Sequence, residues 1–345
     1  MSATQLTWPQ VLGRLIQREN LPREYSRWAM TEIMGGNASP AQIAGFAIAL
    51  HAKGETVAEV DGMVAAMYEY ATPIEVPGPT VDIVGTGGDR AHTVNISTMA
   101  SLVIAGAGER VVKHGNRAAS SKCGSADVIE ELGVRLDQEV PVVAAMAESV
   151  GITFCYAPRF HPSLRFAAAT RRELGVPTTF NFLGPLANPA RPSAQAVGVA
   201  DERVAEIIAG VLARRGTAAL VFRGDDGLDE FTTTTTSRVW EVRDGAIEEH
   251  VLDPVALGIE PVDPQALHGG NAAYNADVVR RVIAGEPGPV RETVALNAAA
   301  GLLAAAPREQ GTIEQRLAHT LERARAALDS GSAADVLDRW VAASR

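Results

Sequence analysis

The chain has 345 residues, 46% of them hydrophobic and 21% charged, which excludes a disordered polymer and, at ~150 residues per domain, gives about two packed domains. Lys and Arg number 31 against 41 Asp and Glu, a formal net charge of −10, and this balance argues against a dedicated nucleic-acid binder. Two cysteines, Cys123 and Cys155, exclude a disulfide scaffold and fit a reduced, cytoplasmic protein. Residues 1–8 hold no basic stretch followed by an apolar one, so no secretory leader is read. The longest apolar runs, near 99–108 and 297–306, are too short to span a bilayer. No membrane partner is expected.

In chain order, residues 1–72 predict helices only. Val11, Leu12, Leu15 and Ile16 mark a first amphipathic stretch. Ser39 and Pro40 form an N-cap and first-turn pair ahead of Ile43, Ala44, Ala47, Ile48 and Leu50. Val60, Met63, Val64 and Met67 follow at helical spacing. The Pro-rich stretch 72–79 reads as a linker. Beyond it, β-branched runs at 81–84, 110–113, 152–156, 195–199, 218–222 and 238–242 alternate with helical segments, the pattern of an α/β domain with a mainly parallel central sheet. The run Thr232–Thr236 fits a strand or strand entry, and the chain from Ala272 onward is Ala-rich and helical.

Four segments concentrate polar chemistry. Gly85-Thr86-Gly87-Gly88-Asp89 follows the first apolar strand, and Asn95-Ile96-Ser97-Thr98 precedes an apolar helix over 99–105 that Ser97 or Thr98 can cap. A glycine turn and a Ser/Thr-headed helix hold phosphate through backbone N–H groups and the helix dipole. An ordinary strand–helix turn reads the same, and neither a Walker A nor a G-x-G-x-x-G pattern is present. The second segment, 113–125, follows the strand 110–112 and packs three cations, three serines, two glycines and an amide into thirteen positions, a density suited to pyrophosphate. The third, 224–230, carries four carboxylates in six positions. Asp225 and Asp226 read as a solvated turn, Asp229 and Glu230 as a Mg²⁺ pair. The fourth is a helix begun by Pro162 and ended by Gly175, with Arg171 and Arg172 near its C-terminus; they either favour the helix dipole or turn one guanidinium toward a carboxylate ligand. Residues 177–186 read as a packed connector. No G-x-S-x-G, H-E-x-x-H or C-x-x-C motif occurs, so neither a serine hydrolase nor a zinc enzyme is suggested.

These motifs in this order resemble the anthranilate phosphoribosyltransferase family, which acts in tryptophan biosynthesis. The resemblance spans nearly the whole chain and is carried by GTGGD at 85–89, NIST at 95–98, KHGNRAASS at 113–121 with the GSAD that follows, RREL at 171–174, FNFLGPLANP at 180–189 and GDDGLDE at 224–230. It implies a small helical domain, residues 1–76 joined by helices near 165–185, and an α/β domain over 77–345, normally in a homodimer. It implies transfer of the phosphoribosyl group of phosphoribosyl pyrophosphate (PRPP) to the amine of anthranilate, with release of pyrophosphate. The residues implied for PRPP are Gly85, Gly88, Asp89, Thr93, Asn95, Ile96, Ser97, Thr98, Lys113, His114, Gly115, Asn116, Arg117, Ala118, Ala119, Ser120, Ser121 and Ser125. Gly85, Asn116 and Arg171 are implied for anthranilate. Ser97, Asp229 and Glu230 are implied for Mg²⁺, with two ions expected. Three positions depart from common family patterns: Arg90 and His92, where many members have Gly and Asn, and Leu164, where some have Tyr or Met. Two other readings are a pyrimidine nucleoside phosphorylase and a non-enzymatic, nucleic-acid-binding paralogue; the latter would show a basic groove and eroded motifs.

Overall fold

A computed structural model of the chain describes residues 6–118, 122–308 and 310–345. Two compact units emerge, one of Met1–Pro73 with Ala157–Pro189, the other of Ile74–Tyr156 with Ala190–Arg345. These units divide at 73/74, three residues before the expected 76/77, and the returning segment takes in the expected 165–185.

The first unit begins with α1 (Trp8–Ile16), α2 (Arg23–Met34), α3 (Pro40–Lys53) and α4 (Val57–Tyr70). Local chemistry fixes their starts. Ser39 Oγ accepts from Gln42 N while Gln42 Oε1 accepts from Ser39 N at 2.8 Å, with Pro40 in the first turn. Thr56 and Glu59 repeat the reciprocal arrangement at α4. Glu59 is fully buried, which is tolerable because Lys53 Nζ at 3.0 Å and the Leu21 N–H at 2.7 Å both donate to it.

In the second unit, β1 (Val81–Gly85), α5 (Ile96–Gly106), β2 (Val111–Gly115), α6 (Ser125–Glu131), α7 (Val140–Ser149) and β3 (Ile152–Tyr156) alternate as expected. The chain then returns to the first unit as a short α8 (Ala157–Phe160), a 3₁₀ turn at Pro162–Leu164, and α9 (Arg165–Leu174), which Gly175 ends at φ 62°. Phe180, Phe182, Leu183 and Leu186 bury the connector that follows. The second unit resumes with β4 (Ala194–Gly198), α10 (Glu202–Arg215), β5 (Ala218–Gly224), β6 (Ser237–Arg243), β7 (Ala246–Leu252) and helices α11 (Ala272–Ile283), α12 (Pro289–Ala305), α13 (Ile313–Asp329) and α14 (Ser332–Ala343).

The seven strands run in the order β3-β2-β1-β4-β5-β6-β7. The first five are parallel, and β5, β6 and β7 are antiparallel. Every residue of α12 from Thr293 to Ala304 is buried, which explains why that stretch is apolar without a polar face. The strand order reverses between β1 and β4, and in open α/β sheets ligands gather beyond the strand C-termini at such a switch point.

Four local expectations are corrected or narrowed. Strand β7 is added through Asp244 and Gly245, both at positive φ (51° and 77°), the two-residue turn that matches hairpin twist. Of the two readings of Thr232–Thr236, the structure has the strand entry, a loop leading directly into β6: Thr232 and Thr234 donate to Asp226, and Thr236 to Asp225. The helix expected over 99–105 begins at Ile96 with Asn95 as N-cap, so Ser97 and Thr98 lie inside its first turn. Strand β2 extends to Gly115, placing Lys113, His114 and Gly115 on the strand instead of in a loop.

Candidate active site

The C-terminal ends of β1 and β2 carry the glycine turn and the buried cation, and the acidic pair that follows β5 packs against the end of β4. Leaving β1, the Thr86 N–H donates to Gly198 O on β4 at 3.0 Å. Gly87 and Gly88 then take φ of 70° and 91°, open to glycine without strain. The Gly87 N–H donates to Asp229 Oδ2 at 2.6 Å, and the Ala91 N–H to Asp89 Oδ1 at 3.2 Å. Arg90 and His92 sit at φ 61° and 54°. That left-handed geometry is one that Gly and Asn adopt readily, which explains why they suit these two positions. Thr93 then bridges His268, and the Val94 N–H donates to Leu267 O at 2.9 Å.

Asp229 and Glu230 follow β5 and are each 8% exposed. A Cβ on Gly198 would overlap the Asp229 carbonyl, and one on Gly85 the Asp229 carboxylate, so these two glycines let the acidic pair lie directly on the sheet end. Burial, then the charge of Asp89, pushes the Asp229 carboxyl up to about 7. Burial and the neighbouring Asp229 push Glu230 well above the usual carboxylate range. Glu230 Oε1 accepts the Ser97 N–H at 3.2 Å in the first turn of α5. Lys113, 1% exposed, donates from Nζ to Ser97 Oγ at 3.2 Å and to Ile83 O. Burial draws its amine down, opposed by Asp82 and Glu230. Two adjacent buried carboxylates near a hydroxyl offer oxygen ligands of the kind a hard divalent cation takes, with the Lys113 amine beside that hydroxyl.

The four carboxylates of 225–230 divide by burial. Asp225 and Asp226 are exposed, and their threonine partners satisfy them; Asp229 and Glu230 are buried. A different carboxylate group, Glu241 and Glu248 with His250, lies on the β6–β7 hairpin. It borders a cavity of about 420 Å³ that Arg243 and Arg316 also line. Its glutamates are taken by Arg316 and Arg308, so its chemistry is that of ion pairs.

Beyond β2, His114 is buried, and its N–H donates to Asp82 Oδ1 at 3.3 Å. Asn116 is exposed. Arg117 packs over the Tyr156 ring and pairs with Asp127 at 3.0 Å and Glu130 at 2.5 Å. Its guanidinium is committed to these neighbours and is not presented as an isolated phosphate ligand. Asp127 Oδ2 accepts the N–H of Ala118 at 3.0 Å and of Gly124 at 2.8 Å. The contact to Gly124 caps α6; that to Ala118 ties in the chain before the residues expected at Ala119, Ser120 and Ser121, which lie outside the described residues. Ser125 heads α6 and donates to Asn116 O at 3.3 Å. Asp127→Asn removes one acceptor from this arrangement. If the chain takes PRPP, the KM for it should rise about 3- to 10-fold, ~0.7–1.4 kcal/mol, because the amide still offers one oxygen acceptor and only part of the bonding is lost. Steady-state kinetics checks this, and an unaltered KM contradicts it.

Arg171 belongs to the first unit, in the last turn of α9, with its guanidinium 5.4 Å from the centre of the Phe180 ring. Burial lowers its pKa. Among the described residues it makes no ion pair with an acid of the chain. Asn275, His268 and Leu267, which brace the 92–95 segment, escape a motif search. The available signal was Asn275 itself, a polar residue in register with Val279 and Val282 on the buried face of α11.

Residues 77–334 match the a/b domain of a glycosyl transferase family, and residues 9–71 match the helical bundle domain of a glycosyl transferase family. Helical bundle and parallel sheet together define a two-domain glycosyl transferase. The anthranilate phosphoribosyltransferase of Nocardioides sp. is 61% identical, covering 98% of this chain and 99% of the relative. That of Streptomyces griseus is 60% identical, covering 99% and 97%. The crystal structure of anthranilate phosphoribosyltransferase from Thermus thermophilus superposes with a TM-score of 0.90 at 41% identity, covering 97% of this chain and 99% of that one. The Saccharomyces cerevisiae enzyme in complex with PRPP and Mg shares the fold, with a TM-score of 0.88 at 22% identity and coverage of 98% and 97%. The chain belongs to the anthranilate phosphoribosyltransferase family, enzymes of tryptophan biosynthesis.

Proposed function

We propose that the chain transfers the 5-phosphoribosyl group from PRPP to the anthranilate amine with Mg²⁺ bound, and that the residues above do the work. In this reading the bond between ribose C1 and the pyrophosphate oxygen breaks, and its electron pair leaves with pyrophosphate. The amine lone pair forms the N–C1 bond, and the nitrogen then releases a proton. An aromatic amine is neutral at pH 7, so no strong base is needed. Cleavage running ahead of bond formation, with oxocarbenium character at C1, fits a site rich in anion-binding groups and poor in bases. Mg²⁺, when bound, supplies charge neutralisation on the departing pyrophosphate. Asp229, Glu230 and Ser97 would hold it, with two ions in the reading.

The glycine turn, Asp89, Thr93 and the head of α5 at 95–98 would seat PRPP, and Lys113 would bring the nearest buried cation. The loop beginning at Asn116 would close the pyrophosphate side, with Ser125 assisting. Gly85 and Asn116 would face anthranilate, and Arg171 would take its carboxylate. Fixing two substrates in line supplies ~7–11 kcal/mol in favourable cases. A homodimer completes the reading. No described helix is long and apolar enough to cross a membrane.

The observation that carries the proposal is the buried Asp229–Glu230 pair bonded to both the glycine turn and the first turn of α5. Anthranilate fluorescence should fall only when PRPP and Mg²⁺ are both present. Consumption that survives omission of either one contradicts the reading. Arg171→Ala should raise the KM for anthranilate about 10- to 100-fold, the worth of ~1.5–3 kcal/mol for a bond to a charged group. The KM for PRPP should change far less; equal effects on the two constants reject the assignment of Arg171.

A further inference from the structure

Asn95 occupies the N-cap position of α5, where an asparagine side chain ordinarily accepts an N–H of the first turn. Here it makes no such bond. Its amide faces elsewhere: Nδ2 donates to Cys123 O at 3.2 Å, and Oδ1 accepts from Asn275 Nδ2 at 2.8 Å. Asn275, 2% exposed, is oriented in turn by the Gly270 N–H, which donates to its Oδ1 at 2.7 Å. The three bonds run in one direction, from Gly270 through Asn275 and Asn95 to Cys123. Each amide therefore has its oxygen and nitrogen ends fixed by the next.

A buried amide is costly unless both ends are satisfied. On α11 the neighbours Ala276, Val279 and Val282 are apolar and fully or nearly fully buried, and an aliphatic residue would serve packing alone. Both polar ends of Asn275 are instead used by segments outside its helix: the turn at 270, and, through Asn95, the head of α5 and the chain entering α6. Backbone contacts reinforce the same junction. The Gly269 N–H donates to His92 O at 2.8 Å, and a Cβ on Gly269 would stand 2.7 Å from Thr93 O.

We infer that Asn275 is a positioning residue for PRPP: through its bond to Asn95, and beside its own hydrogen bond with the Cys123 side chain, it holds the 95–98 segment and the chain at Cys123 at a fixed separation. The inference rests on the PRPP reading above. The side chain of Asn275 is assigned no contact with substrate. Its role is to fix which end of the Asn95 amide faces Cys123, and hence how the two loops meet.

Asn275→Asp tests the role with almost no change of shape. It keeps the acceptor for Gly270 and sets an oxygen against Asn95 Oδ1 in place of the donor. The KM for PRPP should rise about 10-fold while the KM for anthranilate and kcat move less than about 2-fold, because the lost bond acts on one substrate. A double-mutant cycle gives the discriminating readout. If Asn275 works through Asn95, then Asn95→Ala, Asn275→Ala and the double variant should raise the PRPP KM non-additively, the double matching the worse single within about 2-fold. Effects that multiply overturn the inference, as does an unchanged PRPP KM or an equal rise in both KM values. If Asn275→Asp does not fold, Asn275→Ser takes its place with the same expected split. A wild-type chain that turns over normally beside unaltered variants refutes only the role of Asn275. A wild-type chain that consumes no anthranilate with PRPP and Mg²⁺ refutes the function and this role together.

Discussion

Asn and Gln in place of Asp229 and Glu230 are expected to slow turnover by about 10²- to 10³-fold, the loss of ~3–4 kcal/mol of charge stabilisation around the departing pyrophosphate. The Mg²⁺ concentration for half-maximal rate should rise in parallel. The fold should survive. Both carboxyls are held above their ordinary values, Asp229 by burial and then Asp89, Glu230 by burial and then Asp229, so uncharged amides relieve repulsion in the ligand-free protein. A melting temperature equal to or above that of the wild type, with turnover collapsed, is the expected pair of results. Unchanged Mg²⁺ dependence contradicts the metal assignment, whatever happens to the rate.

The largest effect on stability is expected far from this chemistry, at Glu241→Ala. Glu241 and Arg316 are 4% and 8% exposed and joined by two bonds, at 2.5 and 2.7 Å. Removing one partner of such a pair strands the other charge and costs about 3–5 kcal/mol. Replacing both, Glu241→Leu with Arg316→Met, should cost much less for the same reason. Burial alone would raise the Glu241 carboxyl, but the bonds from Arg316 and the charges of Arg316, Arg243 and His250 outweigh it and hold it below its ordinary 4.5. A depressed acid favours the folded state fully above its unfolded value and loses that contribution as pH falls through the folded one. Wild-type stability should therefore decline below pH 4.5 more steeply than that of the double variant. Chemical denaturation across that range measures both curves, and parallel slopes refute the assignment.

Much of this architecture was legible because local chemistry and tertiary packing agreed. Ser39, Pro40 and Gln42 announce α3 before any contact is known, and the apolar run at 220–222 is a strand buried on both sides. Hairpin β6–β7 was legible in principle from Asp244-Gly245, yet β7 is polar in its middle (Glu248, Glu249, His250), and so lacks the alternation that marks a strand. Asp229 and Glu230 stood apart from Asp225 and Asp226 only through inference about phosphate. Their burial depends on Gly85 and Gly198, one on each neighbouring strand, which no spacing rule connects to residue 229. Lys113 read as a loop cation because its strand partners, Phe154 on β3 among them, lie far along the chain. Asn275 was the least visible, since its meaning arises only when α11 meets Asn95.

The excursion of the chain between Tyr156 and Ala190 bears on how the molecule is made. The helices α1–α4 leave the ribosome first, but α9, which packs against α2 and α3, follows only after three strands of the other unit. During synthesis, at ~5–20 residues per second, the early helices wait with the surface meant for α9 uncovered, and β1 waits likewise for β4 on its second edge. The first unit has its full chain only once residue 189 has emerged, and the second only once the segment from Ala190 to Arg345 has followed, so a nascent chain cut at the natural-looking linker near 73 would release an incomplete bundle.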